Sequence, residues 1–263
     1  MNIPAVRDDL PTLAAIGVLA ALAATVSHEV LGHSLGCLAI AGEVRMITPV
    51  VFRCIDSPTP ADLGGPLGNL ALGLVALTLT ANRRIVYGEM RVFLLLAGGL
   101  SLFWFFAQLA MNALFSAGDW NTAADRLGWP GSWRVFAVGV GIVGYDLTRR
   151  GVTRGMRTLS TGQDRAADRR RFLVPWLAGL VAVGLSAVLF AWDRPAGLRE
   201  TTLTLGAAPL GLWLAVFLAA QFGPTGADRA APTPRRRSWI VGAVVAYAVF
   251  CLIVAPGLGL GPL

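Results

Sequence analysis

Seven apolar runs organise this chain, beginning near Leu13, Leu63, Val92, Trp133, Phe172, Leu203 and Trp239. Crossing the hydrocarbon of a bilayer takes about 20 mostly apolar residues. In that solvent every backbone N–H and C=O must find its partner within the protein, which restricts a spanning segment of this kind to a helix. The expected fold is therefore all-α, a polytopic membrane helix bundle of about six or seven transmembrane helices. The run from Trp133 to Thr148 is the shortest of the seven. With 55% hydrophobic residues, 14% charged residues and a mean hydropathy of +0.64, the composition is too apolar for an ordinary soluble domain.

Two stretches break the pattern. Glu43 to Asp62 mixes β-branched residues with prolines, and predicts a short hairpin or re-entrant β-like segment after the first span. Arg149 to Arg171 holds eight arginines and few apolar residues, and reads as a solvated cytoplasmic loop. No internal repeat is evident. The chain divides into a core of three spans, residues 1–130, and a second part, residues 131–263, of additional spans carrying the arginine-rich loop.

The net charge of +7 rests on arginine alone, since the sequence has no lysine. Placed between apolar runs, these arginines point to membrane lipids as partners rather than to nucleic acid. The N-terminus and the loops after the second, fourth and sixth runs carry sixteen arginines, and the alternate loops carry six. Positive charge concentrates on the cytoplasmic side, so the N-terminus is expected there, in a plasma membrane of bacterial type. Cys37, Cys54 and Cys251 are odd in number and form no C-x-x-C pair, so neither a disulfide framework nor a cysteine zinc site is expected. Cys37 and Cys251 lie in apolar runs and read as buried packing residues. No cleavable signal peptide is read at the start of the chain.

The first run ends in "SHEVLGHSLG", Ser27 to Gly36, which contains the only two histidines of the sequence. Two histidines on one helix with a glutamate beside the first are the elements of a zinc hydrolase site, usually spaced i, i+4. Here His28 and His33 are five apart. A regular α-helix would separate them by about 140° around its axis, against about 40° for the usual spacing. A one-residue π-bulge corrects this, and such bulges are frequent at functional sites. Gly32, lacking a Cβ, stands where the backbone must deform. The alternatives are a structural polar cluster and a proton or ion pathway; ionisable residues inside a span are costly and seldom incidental. The hexapeptide "HEVLGH" resembles the zinc motif of the dipeptidyl peptidase III family, in which an extra residue is accommodated and the two histidines and glutamate keep their roles.

A wider resemblance covers roughly residues 13 to 125. "HEVLGHSLGCLAIAGEV" is similar to the first motif of the site-2 protease family of intramembrane zinc metalloproteases. "GGPLGNLALG" looks like that family's A-G-P-x-x-N segment, with Pro66 and Asn69 matching, and "NALFSAGD" stands in the place of its N-x-x-P-x-P-x-L-D-G motif. The resemblance implies zinc held by His28, His33 and Asp119, with Glu29 as general base. It also implies Asn69, Asn112 and Asn121 near substrate or lining a polar cleft. Asp125 is the runner-up third ligand and Asp62 a more distant one. The implied activity is hydrolysis of peptide bonds in membrane-embedded or membrane-anchored protein substrates. The alternative is a non-proteolytic metal-binding membrane protein: a transporter, a sensor or an inactive homologue. The family places its site toward the cytoplasm, whereas the arginine count places this one toward the outer face.

Overall fold

A computed structural model describes residues 7–49, 52–55, 58–82, 88–160, 165–191, 209–219 and 231–259. The chain begins with α1 (Leu10–Thr25), capped by Asp9, whose carboxylate accepts from the Thr12 N–H at 3.0 Å. Without a break the helix widens into a π segment (Val26–Gly32) and returns to α2 (His33–Leu38). Next come β1 (Glu43–Ile47), β2 (Phe52–Ile55), α3 (Pro58–Ala81) and α4 (Gly88–Phe115). After these follow α5 (Asp119–Arg126), α6 (Trp133–Thr158), α7 (Arg165–Ala191) and the short α8 (Pro209–Ala219). The described chain ends in α9 (Arg237–Val249), a second π segment (Phe250–Val254) and β3 (Leu258–Gly259).

Among the described residues five helices are long and apolar enough to cross a membrane: Leu10–Leu38, Thr59–Ala81, Gly88–Phe115, Arg165–Leu189 and Arg237–Val254. Two of the seven expected runs are not among these five. α6 is long but carries Asp146, Arg149, Arg150, Arg154 and Arg157 in its second half. Of the sixth run the described residues include α8, and its expected start at Leu203 lies outside them. The arginine-rich stretch is corrected: α6 continues to Thr158 and α7 begins at Arg165, so all eight of those arginines are on helices rather than in a loop.

The bundle is predominantly helical, with one small antiparallel sheet of strand order β2-β1-β3. The hairpin expected after the first span is present as β1 and β2, which pair from Glu43↔Ile55 to Ile47↔Phe52. A bulge lies between Val44 and Met46. The extra residue resets the alternation, so that Val44 and Ile47 are both buried although three positions apart. The cysteine reading is corrected here: Cys37 at the end of α2 and Cys54 on β2 form a disulfide. Cys251 is free and half-buried.

Glycines set the closest helix crossings. A Cβ on Gly32 would lie 2.4 Å from the Gly64 carbonyl oxygen, and one on Gly36 would lie 2.0 Å from that of Pro60. Gly32 thus meets Gly64, Gly36 meets Pro60, and Gly68 lies against Ser27 and Gly32, an approach of backbones typical of helices packed in a bilayer. The same device joins α6 to α4 through Gly141 and Gly144 against Phe106 and Ala110.

At one end of the bundle the buried Arg171 donates to the carbonyls of Leu159 and Ala231, both at 2.6 Å, and pairs with Asp8 at 3.3 Å. Arg236 there pairs with Glu89 at 3.0 Å. The start of α1, α4, α7 and α9 and the end of α6 therefore share that end. The sheet, α5 and the π segment lie at the other.

Replacing Gly32 by Ala is expected to lower stability by about 1–3 kcal/mol, because backbone rather than a mobile side chain blocks the new methyl. Gly242→Ala, which meets nothing within 4 Å, serves as the control. Thermal unfolding in detergent should show a lower Tm for the first variant only; equal values would contradict the crossing.

Candidate metal centre

The widened turn is closed by the His33 N–H, which donates to the His28 carbonyl, an i→i−5 bond. It brings the two imidazoles to one side of the helix, with ring centroids 4.9 Å apart and nearly perpendicular. Asp119, the first residue of α5, meets them from 91 positions along the chain: its Oδ2 is 3.2 Å from His28 Nε2 and 3.6 Å from His33 Nε2. One ligand atom from each of the three residues lies within 4.8 Å of the others.

The donor set fits a divalent metal. Two imidazole nitrogens and one carboxylate oxygen form the ligand set of a catalytic zinc site that keeps one position open. Tetrahedral bonds of about 2.0–2.1 Å place neighbouring ligand atoms roughly 3.3 Å apart, close to the two separations to Asp119. Space for an ion is kept by Gly65, on which a Cβ would lie 2.4 Å from His33 Nε2 and 2.9 Å from His28 Nε2. Any larger residue there would fill the centre.

The surrounding groups set the tautomers. His33 Nδ1 lies 2.6 Å from the Ala61 carbonyl, which only accepts, so Nδ1 carries the proton and Nε2 presents its lone pair. Asn69 Nδ2 lies 3.2 Å from His28 Nδ1, and Asn69 Oδ1 is buried with no hydrogen-bond partner. A half-turn of that amide exchanges two atoms of similar size and lets Oδ1 accept from Nδ1–H of His28. Both histidines then offer Nε2 to the same point. His28 also stacks on Trp104 of α4 and His33 on Phe52 of β2.

Asp119 is held from α4. Gln108 Nε2 donates to its Oδ2 at 2.8 Å, and Asn112 Oδ1 accepts the Trp120 N–H at 3.1 Å. Gly118 precedes it at φ 84°, a left-handed conformation that favours glycine. The Glu29 carboxylate stands 3.9 Å from His28 Nε2 and 4.0 Å from His33 Nε2, beside the ligand atoms rather than among them. The side chains of His28, His33 and Glu29 are almost fully buried, whereas that of Asp119 is 24% exposed, so solvent reaches the centre from the Asp119 side. Asp62, bonded to Arg126 at 2.6 Å, ties α3 to α5 nearby.

The structure thus gathers His28, Glu29, His33, Asn69 and Asp119. The runner-up Asp125 is exposed and accepts from Asn121 Nδ2 at 2.8 Å. Asn121 also accepts from Arg134, joining α5 to α6, and Asn112 shapes the turn before α5. Both asparagines support the scaffold of Asp119. Sequence reasoning missed Gly65, Phe52, Trp104 and Gln108. Only Gln108, an isolated amide inside an apolar run, carried a signal of its own.

The chain matches no protein-family model, no curated protein and no solved structure.

Metal analysis of the detergent-purified protein separates the two aspartates. Asp119→Asn and Gly65→Ala should lose bound metal, and Asp125→Asn should retain it. Metal retained by Asp119→Asn and lost from Asp125→Asn would reverse the assignment.

Proposed function

We propose that this protein is an integral-membrane zinc metallopeptidase that cleaves membrane-embedded or membrane-anchored protein substrates, in the manner of the site-2 protease family it resembles. The observation that carries the reading is the position of Glu29, within about 4 Å of both Nε2 atoms while His28, His33 and Asp119 converge on one point. Zinc held there would supply Lewis-acid polarisation of a carbonyl and acidification of water. Glu29 stands where a general base takes a proton from an attacking water and returns it to the leaving amine. Gln108 orients the Asp119 carboxylate, and the Ala61 carbonyl and Asn69 orient the imidazoles.

Two features support a substrate drawn from the membrane. The centre lies between helices of membrane-spanning length. An apolar groove between α1, α4, α7 and α8 reaches Trp104, the ring on which His28 stacks.

The orientation we favour puts the N-terminus in the cytoplasm and the metal centre toward the outer face. The described arginines support it, thirteen belonging to elements at the α1-start end or leading to it and four to the metal end. The Cys37–Cys54 disulfide supports it too, because disulfides persist in oxidising compartments.

Glu29→Gln is expected to reduce zinc-dependent cleavage by a factor on the order of 10² or more while zinc per chain stays unchanged. The assay is a library of quenched-fluorescent transmembrane peptides in bilayer vesicles. If the substitution empties the site and the unaltered protein cleaves nothing, Glu29 is a ligand and the protein binds metal without hydrolysis.

A further inference from the structure

We propose that Phe52 is a positioning residue for His33, and that the Cys37–Cys54 disulfide is the tie that keeps it in place, so that the metal centre is tight only while the two cysteines are oxidised. The inference rests on the metal-centre reading above and adds to it a control element.

The geometry is local and closed. Cys37 lies one helical turn beyond His33, on the same short helix α2. Cys54 lies two residues beyond Phe52 on β2, so the disulfide joins the helix that carries the histidine to the strand that carries the ring stacked on it. The Phe52 and His33 rings are 5.2 Å apart and within 15° of parallel. His33 Nδ1 is already fixed by the Ala61 carbonyl at 2.6 Å, and the ring face is fixed by Phe52. Gly42 closes the loop between α2 and β1, and a Cβ there would lie 2.8 Å from Cys54 Sγ and 3.0 Å from Cys37 Sγ. No bulkier residue fits between the turn and the bridge.

Among the described residues β2 is otherwise attached by its pairing with β1 and by packing on α2 and α3. It is an edge strand, paired only with β1, whose other side is held by β3. Among the described residues the disulfide is the one covalent link from the sheet to the metal helix other than the chain itself. Without it, Phe52 would be retained by a short ladder of hydrogen bonds and by packing near Cys37, Val44 and Ile47. Outer groups that orient a metal-bound imidazole commonly change metal affinity by about 10- to 100-fold when removed.

Reduction proceeds by thiol–disulfide exchange with a dithiol. Its first thiolate attacks one cysteine sulfur, forming a mixed disulfide and releasing the other cysteine as a thiolate, which takes up a proton. The second thiol then closes on the first, freeing the remaining cysteine, and the reductant leaves as its own disulfide, having given up two electrons.

The test measures loss of zinc to an excess of chelator from the full-length protein in detergent, with and without a phosphine reductant that binds zinc weakly. Reduction is expected to speed zinc loss about 10- to 100-fold. The double variant Cys37→Ser/Cys54→Ser should release zinc at the fast rate in both conditions. Phe52→Ala should also be fast in both, and Phe52→Tyr should restore the slow rate in the oxidised protein. The absorption spectrum of the Co²⁺-loaded protein should change on reduction, reporting altered ligand geometry. Amide exchange across residues 52–55 of the zinc-free protein should rise on reduction, a readout that needs neither activity nor metal. Equal zinc loss before and after reduction, or unchanged exchange in that strand, overturns the proposal. If no form retains zinc, the metal-centre reading fails instead, and the exchange measurement alone decides whether the tie exists.

Discussion

The structure of the candidate centre depends on one hydrogen bond, from the N–H of His33 to the carbonyl of His28. Its i→i−5 span gives the helix one extra residue in that turn, and so brings together two side chains that a regular winding would hold on different faces. The distortion is fixed from outside the helix as well. Gly32 lies against the Gly64 carbonyl, and Ser27 Oγ donates to the Gly68 carbonyl at 2.9 Å. The helix cannot return to α geometry without sliding against α3, and α3 carries Gly65, whose missing side chain leaves the space between the imidazoles. Winding, crossing and cavity are thus one constraint seen at three places.

The third group reaches this point through α4. That helix contributes Trp104 against His28, Gln108 to the Asp119 carboxylate and Asn112 to the turn that begins α5, at intervals of one turn along a single face. The order of the three residues along the helix matches the order in which the site is built. In the resembled family the corresponding turn contains prolines. Here Gly118 at positive φ, with Asn112 bonded to the next turn, performs the reversal. The shorter spacing between Asn112 and Asp119 is therefore compatible with an aspartate that still points at the histidines.

Much of the centre was legible because the chemistry is concentrated. Only two histidines occur, both lie beside Glu29, and their spacing names the distortion needed to join them. Asp119 rather than Asp125 followed from the resemblance, and the structure supplies the physical reason: Asp125 lies on another face of α5, where Asn121 occupies it. What remained hidden depends on contacts between distant segments. Phe52 has no unusual sequence context, Gly65 stands in the GGPLGN segment without a role of its own, and the importance of both exists only once α3 and β2 lie against the imidazoles. The disulfide was hidden for a related reason, since an odd number of cysteines with no close pair gives no pairing from counts alone. The two-residue β3 completes the sheet from the far end of the described chain and leaves no periodic signal. For the helices, hydropathy located the runs well. It placed the start of α6 at Trp133 and ended the run at Thr148, beyond which charged residues continue a helix that glycines hold to α4.

The two ends of the bundle are chemically unlike, and that difference bears on how the proposed site would operate here. Arg171 holds together four chain segments at one end by binding two carbonyls, a hydroxyl and Asp8, an arrangement suited to a guanidinium's several donors. The opposite end has few arginines among the described residues and a covalent bridge beside the candidate ligands His28 and His33. A site of this chemistry on the outer side would meet substrates exposed to an oxidising compartment, whereas the resembled family works from the cytoplasmic side. The disulfide would have little persistence in the cytoplasm, so the inverted orientation and the bridge are mutually consistent. Under that orientation the sheet is exposed to the same compartment that sets the oxidation state of its cysteines. The geometry of His33 would then follow the redox conditions outside the membrane rather than those within the cell.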